Sequence, residues 1–228
     1  MDLNVHMLTD LVVWYAVFLF STTFHEAMHA YASRYGGDNT AHLGGQTSLN
    51  PVPHIRRSPF GMVLMPLITF ILSKGNFLIG WAATPFNIAW AARYPKRSFL
   101  MSLAGPFAHL IILIVCFVGI YIGMTTGFFD VEGGLYVHGN LAWALAKILS
   151  IAMTLNLVLL VFNLLPVPPL DGSEVWYLLV KKEEDRLRLR YQAQSYNLIG
   201  LMLAWWLFPK VFWPVSSFVY GLLSWLIS

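Results

Sequence analysis

From Phe99 to Gly123 the chain runs for 25 residues without one Asp, Glu, Lys or Arg, and from Leu141 to Leu165 it runs for another 25 with only Lys147. A bilayer core needs about 20 apolar residues to be crossed by a helix. In lipid every backbone polar group must be satisfied within the protein, so runs of this length predict membrane-spanning helices. Composition agrees. The 228 residues are 57% apolar and 11% charged, whereas soluble proteins have about 45–50% apolar and about 25% charged residues. So few charges cannot cover a water-facing surface, and disorder is excluded on the same ground. One cysteine, Cys116, rules out an intrachain disulfide. It lies in an apolar run and reads as packing. The net charge of +3 reads as loop bias rather than nucleic-acid binding.

The expectation is therefore an all-α polytopic membrane protein with about five to six transmembrane helices. A single domain over 1–228 is expected, with a catalytic core over about 8–180 and a C-terminal helical hairpin over about 193–228. Met1-Asp2-Leu3-Asn4 lacks the basic stretch of a cleaved leader. A first span covers Leu8 to Tyr35, with Gly36-Gly37 as its stop. Asp38 to Ser58, rich in Gly, Pro, Asn and Thr, predicts turns with one or two short strands. Phe60 to Ser73 is apolar, short for a span and interrupted by Pro66, which fits a re-entrant piece. Phe77 to Trp90 is a second apolar piece broken at Pro85. Pro209-Lys210 is expected to turn the last two apolar stretches into the hairpin. Basic residues flank the start of the Phe99 span and follow the Leu165 end. The positive-inside rule then puts both ends on the cytoplasmic side, the Thr125–Gly139 loop outside, and the end of the first span inside.

The chemistry begins at His25-Glu26-Ala27-Met28-His29. An i, i+4 spacing on a helix puts both imidazoles on one face, one turn apart. Two neutral imidazoles suit zinc, and the intervening Glu26 suits a general base acting on water. The bland alternative is two histidines hydrogen-bonded to carbonyls, with Glu26 solvated. The apolar run that leads into these residues argues against it, since ionisable groups in a bilayer need a partner. Zinc takes a third protein ligand and keeps one open position. Asp171, in Pro168-Pro169-Leu170-Asp171-Gly172, is brought by the topology to the same side as His25 and His29. Glu174 is the rival, and Asp171 also reads as a plain helix cap.

With these residues go Gly37-Asp38, Thr40-Ala41, Leu43-Gly44-Gly45-Gln46-Thr47-Ser48-Leu49-Asn50-Pro51 with His54, Gly80-Trp81-Ala82, Ala104-Gly105-Pro106, and the stretch from Asn163 to Gly172. In this order they resemble the site-2 protease family (peptidase family M50), and more closely its compact prokaryotic branch without PDZ or CBS domains. The resemblance spans residues 25–172. It implies that His25, His29 and Asp171 hold one Zn2+ ion and that Glu26 is the general base. Asn163 matches an asparagine near the scissile carbonyl, a candidate oxyanion donor. An interhelical hydrogen bond is its equal alternative. Asn156 reads as structural. The chain departs from the family at His109, where Asn is usual, at Ile55-Arg56-Arg57, where an Asp often follows the histidine, and at Gly45, where a basic residue is common. His109 reads as a packing histidine ahead of a fourth ligand.

The implied function is zinc-dependent intramembrane endopeptidase action on a transmembrane segment of another protein, in the cell membrane, with the active site toward the cytoplasm. Gly44 to Asn50 is one candidate for an edge strand that pairs with the substrate, a plain loop being the other. The implied partners are a transmembrane protein substrate and the lipid bilayer. No nucleic acid is among them, and no feature sets an oligomeric state. Two alternatives remain open: an inactive scaffold that binds single-span partners, and a metal transporter built on the same His/Asp set.

Overall fold

The computed structural model describes residues 5–129, 131–132, 135–136 and 141–227. The first helix, α1 (Val5–Gly36), carries the apolar run straight into the histidines without a break. It stops where expected. Gly37 takes a φ of +98°, its N–H bonds to the Arg34 carbonyl at 3.0 Å, and the Asp38 N–H bonds to Ser33 at 2.9 Å. These two bonds form a glycine C-cap of the Schellman type.

Two short helices follow, α2 (Thr40–Leu43) and α3 (Pro51–Arg57). The strands expected within Asp38 to Ser58 are not there. Pro51 and Pro53 cannot donate to a ladder, and the Asn50 side chain accepts from the Val52 N–H to start α3 instead. The Gly44–Asn50 edge strand falls with them, because that stretch is turns. Among the described residues the strands are β1 (Val131–Glu132) and β2 (Leu135–Tyr136), an antiparallel pair far along the chain. The rest of the Thr125–Gly139 loop from Asp130 onward lies outside the described residues.

A π-helical turn at Phe60–Leu64 runs into α4 (Met65–Leu72). Pro66 sits where the π-helical turn passes into α4, and the carbonyls its missing N–H leaves free are taken from outside the helix, Gly61's by the Trp81 N–H at 3.0 Å and Met62's by the Tyr15 hydroxyl at 3.2 Å. The pair formed by Pro51–Arg57 and Phe60–Leu72 is bent by 111°, a broken-span or re-entrant geometry. Residues 77–87 are irregular, and the Asn87 side chain then caps α5 (Ile88–Arg93). The long helices α6 (Pro95–Thr125) and α7 (Leu141–Asn163) match the two apolar runs. A 3₁₀ turn (Asp171–Glu174), α8 (Val175–Leu179), α9 (Glu183–Ser195) and α10 (Asn197–Ile227) complete the described chain.

Four helices, α1, α6, α7 and α10, are long and apolar enough to cross a membrane, and the bent pair raises the number to five. The protein is thus an all-α, multi-pass membrane protein at the low end of the expected span number. The expected C-terminal hairpin is instead one continuous helix through Pro209 and Pro214. Each proline removes one backbone bond, but a turn in lipid would expose several unpaired groups. Packing also holds α10 in line on both sides of the prolines, since Phe208, Phe212, Val215 and Val219 all rest on the core.

That core joins Ile112, Leu113, Cys116 and Ile120 of α6 to Ala152, Met153, Leu157 and Val161 of α7, with Leu223 of α10. Cys116 is a buried free thiol within it, as expected. A second cluster ties Phe18 of α1 and Phe70 of α4 to Leu78 and Leu155. Helix α6 packs more extensively against α1 and α7 than those two do against each other. If α10 is one span, a reporter fused after Ser228 will lie across the membrane from the Lys181–Arg190 segment. Impermeant labelling that reaches both from one face would restore the hairpin.

Candidate active site

His25 and His29 project from one face of α1 toward α6, and both are buried. Their Nε2 atoms are 2.9 Å apart. His29 Nδ1 lies 2.7 Å from the Met101 carbonyl on α6. A carbonyl only accepts, so this bond places the ring proton on Nδ1 and turns the Nε2 lone pair inward. Asp171 reaches the same point from the 3₁₀ turn after α7. Its Oδ2 is 3.4 Å from His25 Nε2 and its Oδ1 is 3.3 Å from His29 Nε2. One ligand atom from each of the three residues lies within 4.8 Å of the others.

The helices approach closely only because Gly105 lacks a side chain. A Cβ there would stand 2.2 Å from His29 Nε2 and 2.5 Å from His25 Cε1. At the other wall, a Cβ on Gly172 would stand 2.2 Å from the Leu164 carbonyl oxygen. The glycine beside Asp171 thus lets the turn wedge against the end of α7.

Glu26 is buried beside the cluster, with Oε1 3.9 Å from His25 Nε2. The Thr84 hydroxyl lies 2.6 Å from Glu26 Oε2 and 3.0 Å from the Glu26 carbonyl oxygen. Thr84 belongs to the irregular segment 77–87. That segment is held by the Ile79 N–H on Thr69 Oγ1 (2.9 Å) and the Trp81 N–H on the Gly61 carbonyl (3.0 Å). Further along, the Asn87 N–H bonds to Asp38 Oδ2 at 2.7 Å and Gln46 Nε2 donates to the Ala83 carbonyl at 3.4 Å. The N–H groups of Ala82, Ala83 and Thr84 have no partner among the described residues.

His109 stacks on His25, with ring centroids 4.6 Å apart and planes at 28°. Its Nδ1 lies 2.8 Å from Asn156 Oδ1, and Asn156 Nδ2 donates to Ser21 Oγ at 2.9 Å and to the Ala152 carbonyl at 2.8 Å. His109 is thus a packed, hydrogen-bonded neighbour of the cluster, and Asn156 ties α7 to α1. Asn163 is half-buried at the end of α7, where Nδ2 donates to the Leu159 carbonyl one turn back. Glu174 points away from the cluster, into contacts with Ser98 and Arg190.

The donor set fits a divalent cation. Asp171 Oδ2 is buried with no hydrogen-bond partner. Two imidazole nitrogens and a carboxylate meeting in an apolar surround present several lone pairs to one point, and a cation satisfies all of them. Sequence reasoning missed Thr84, because its link to Glu26 depends on a fold-back of 58 positions. It also missed that His109 stacks on a ligand-type histidine. The one available signal was a histidine within a span.

Comparison with known proteins accords with the geometry. The profile of Peptidase family M50 matches residues 131–207. A Bacillus subtilis protein named as a candidate zinc metalloprotease, YwhC, is 33% identical over 200 residues, covering 86% of this chain and 82% of the relative. This chain belongs to peptidase family M50. Two mycobacterial relatives named Rip2, likewise candidate zinc metalloproteases by name, align over 87% of the chain and 71% of their own length. The Mycolicibacterium smegmatis protein is 25% identical and the Mycobacterium tuberculosis H37Rv protein 28%. No solved structure is a significant match. The protein is thus a metallopeptidase by family, embedded in a membrane by its helices. For an M50 member with this close helix approach, Gly105→Ala is expected to abolish metal uptake while leaving helical content unchanged. Metal analysis and circular dichroism of the purified variant check this, and full metal loading would contradict it.

Proposed function

We propose that the protein is a zinc-dependent intramembrane endopeptidase that cleaves transmembrane segments of other membrane proteins from the cytoplasmic side of the cell membrane. The observation that supports this best is Glu26, buried and aimed beside three converging ligand atoms at the end of a span. A scaffold that only binds partners has no use for a carboxylate tethered in that position.

In this reading His25, His29 and Asp171 hold one zinc ion. Zinc bound there supplies Lewis-acid polarisation of the scissile carbonyl and an acidified water. The chain's own residues do the rest. Thr84 occupies Glu26 Oε2, which leaves Oε1 as the atom that takes the water proton and passes it to the leaving amine. Asn163 donates to the developing oxyanion, using the Nδ2 hydrogen that Leu159 does not take.

A transmembrane helix hides its carbonyls in internal hydrogen bonds, so cleavage needs it unwound locally. The free N–H groups of Ala82, Ala83 and Thr84 offer an unwound substrate main-chain partners next to Glu26. Residues 82–84, rather than Gly44–Asn50, are thus the backbone proposed to pair with substrate. Basic residues at the start of α6 and along Lys181–Arg190 orient this end of the bundle toward the cytoplasm.

Glu26→Gln keeps the shape and removes the base. It is expected to lower cleavage of a reconstituted single-span substrate by roughly 10²–10⁴-fold, with zinc content unchanged. Cleavage equal to wild type would overturn the proposal.

A further inference from the structure

Outside the ligand cluster lies a second buried group of charges. Glu174 and Arg190 are both buried and joined as an ion pair. Arg190 contacts both carboxylate oxygens of Glu174, with Nη1 3.1 Å from Oε2 and Nη2 on Oε1. Ser98 of α6 donates its hydroxyl to Glu174 Oε1 at 2.6 Å and lies 3.3 Å from Arg190 Nη2. The Arg190 guanidinium also sits 4.0 Å over the Tyr177 ring. One turn earlier on α9, Arg186 is buried too, its Nε donating to the Ala92 carbonyl at 2.5 Å. The face between them points outward, with Asp185, Arg188 and Tyr191 exposed.

A buried ion pair is a weak source of net stability, because desolvation offsets most of its attraction. The pair's location gives it another use. Glu174 closes the same four-residue turn that Asp171 opens. Fixing Glu174 therefore fixes the direction in which Asp171 presents its carboxylate. The turn is pinned at one side by Gly172 against Leu164, and at the other by Ser98 and Arg190. Ser98 lies on α6, the helix that holds His29 through Met101. The clasp thus ties the aspartate and the histidines to one helix.

We propose that Arg190, acting through Glu174, is a positioning residue for Asp171, so that the polar helix α9 sets how tightly the site holds its metal. This rests on the zinc-site reading above. Outer partners of metal ligands change affinity by about 10–100-fold when removed, and the bidentate fork is specific to arginine.

The test is zinc affinity of the full-length protein in detergent, by chelator competition, alongside thermal unfolding of the metal-stripped form. Arg190→Met is expected to raise the zinc Kd by about 10–100-fold. Arg190→Lys, which keeps the charge but loses the fork, is expected to fall between it and wild type. Ser98→Ala removes one hydroxyl and gives a milder loss in the same direction, which serves if Arg190→Met does not fold. A structural role alone would lower the unfolding midpoint of the stripped protein and leave the Kd of the folded protein unchanged. An unchanged Kd in every folded variant would overturn the assignment while leaving the functional reading in place. A wild-type protein that binds no zinc would overturn that reading and this assignment together.

Discussion

Two buried imidazoles and a partly buried carboxylate are brought together on the later half of an apolar helix, where groups of the protein or a bound ion must satisfy most of their polar atoms. Unpaired, buried groups of this kind cost several kcal/mol each, by order of magnitude. Much of the surrounding structure meets that constraint. Met101 fixes the proton of His29, Thr84 holds Glu26, and Gly105 gives up its side chain so that α6 can approach the rings. Among the atoms of the three cluster residues, Asp171 Oδ2 at the site and His25 Nδ1 on the far edge of its ring are still without a partner.

Helix α6 is the organising element. Ser98, Met101, Gly105 and His109 recur at spacings of three and four, which is one face of a helix. Read along that face, they touch Glu174, His29, both imidazoles and His25 in turn. Farther along the same helix, Ile112, Cys116 and Ile120 enter the apolar core shared with α7 and α10. The polar site and the core are thus two ends of one helix surface, so the packing that stabilises the bundle also sets the ligand geometry.

The sequence disclosed the long spans and the histidine pair because both are local patterns: unbroken apolar runs and an i, i+4 spacing. Gly37 as the stop of α1 was legible for the same reason. Asp171 needed the topology and the family resemblance as well, since local chemistry alone favoured a plain helix cap. The misses have physical causes. Proline rules drawn from water overstate the break at Pro209, where lipid penalises a turn more than a missing bond. Glycine-rich sequence from Gly44 to Asn50 suggested a strand, but Pro51 and Pro53 cannot join a ladder and the stretch folds as turns. Thr84 and Arg190 are long-range partners, and no local spacing encodes them.

The central claim is that His25, His29 and Asp171 share one ion. X-ray absorption at the zinc edge of the purified, zinc-loaded protein tests it most directly. The account predicts a four-coordinate shell with two imidazole nitrogens at about 2.0–2.1 Å and oxygen donors at about 2.0–2.2 Å, one of them lost from the protein in Asp171→Ala. A sulfur-containing or all-oxygen shell, or a spectrum and stoichiometry untouched by Asp171→Ala, would contradict it.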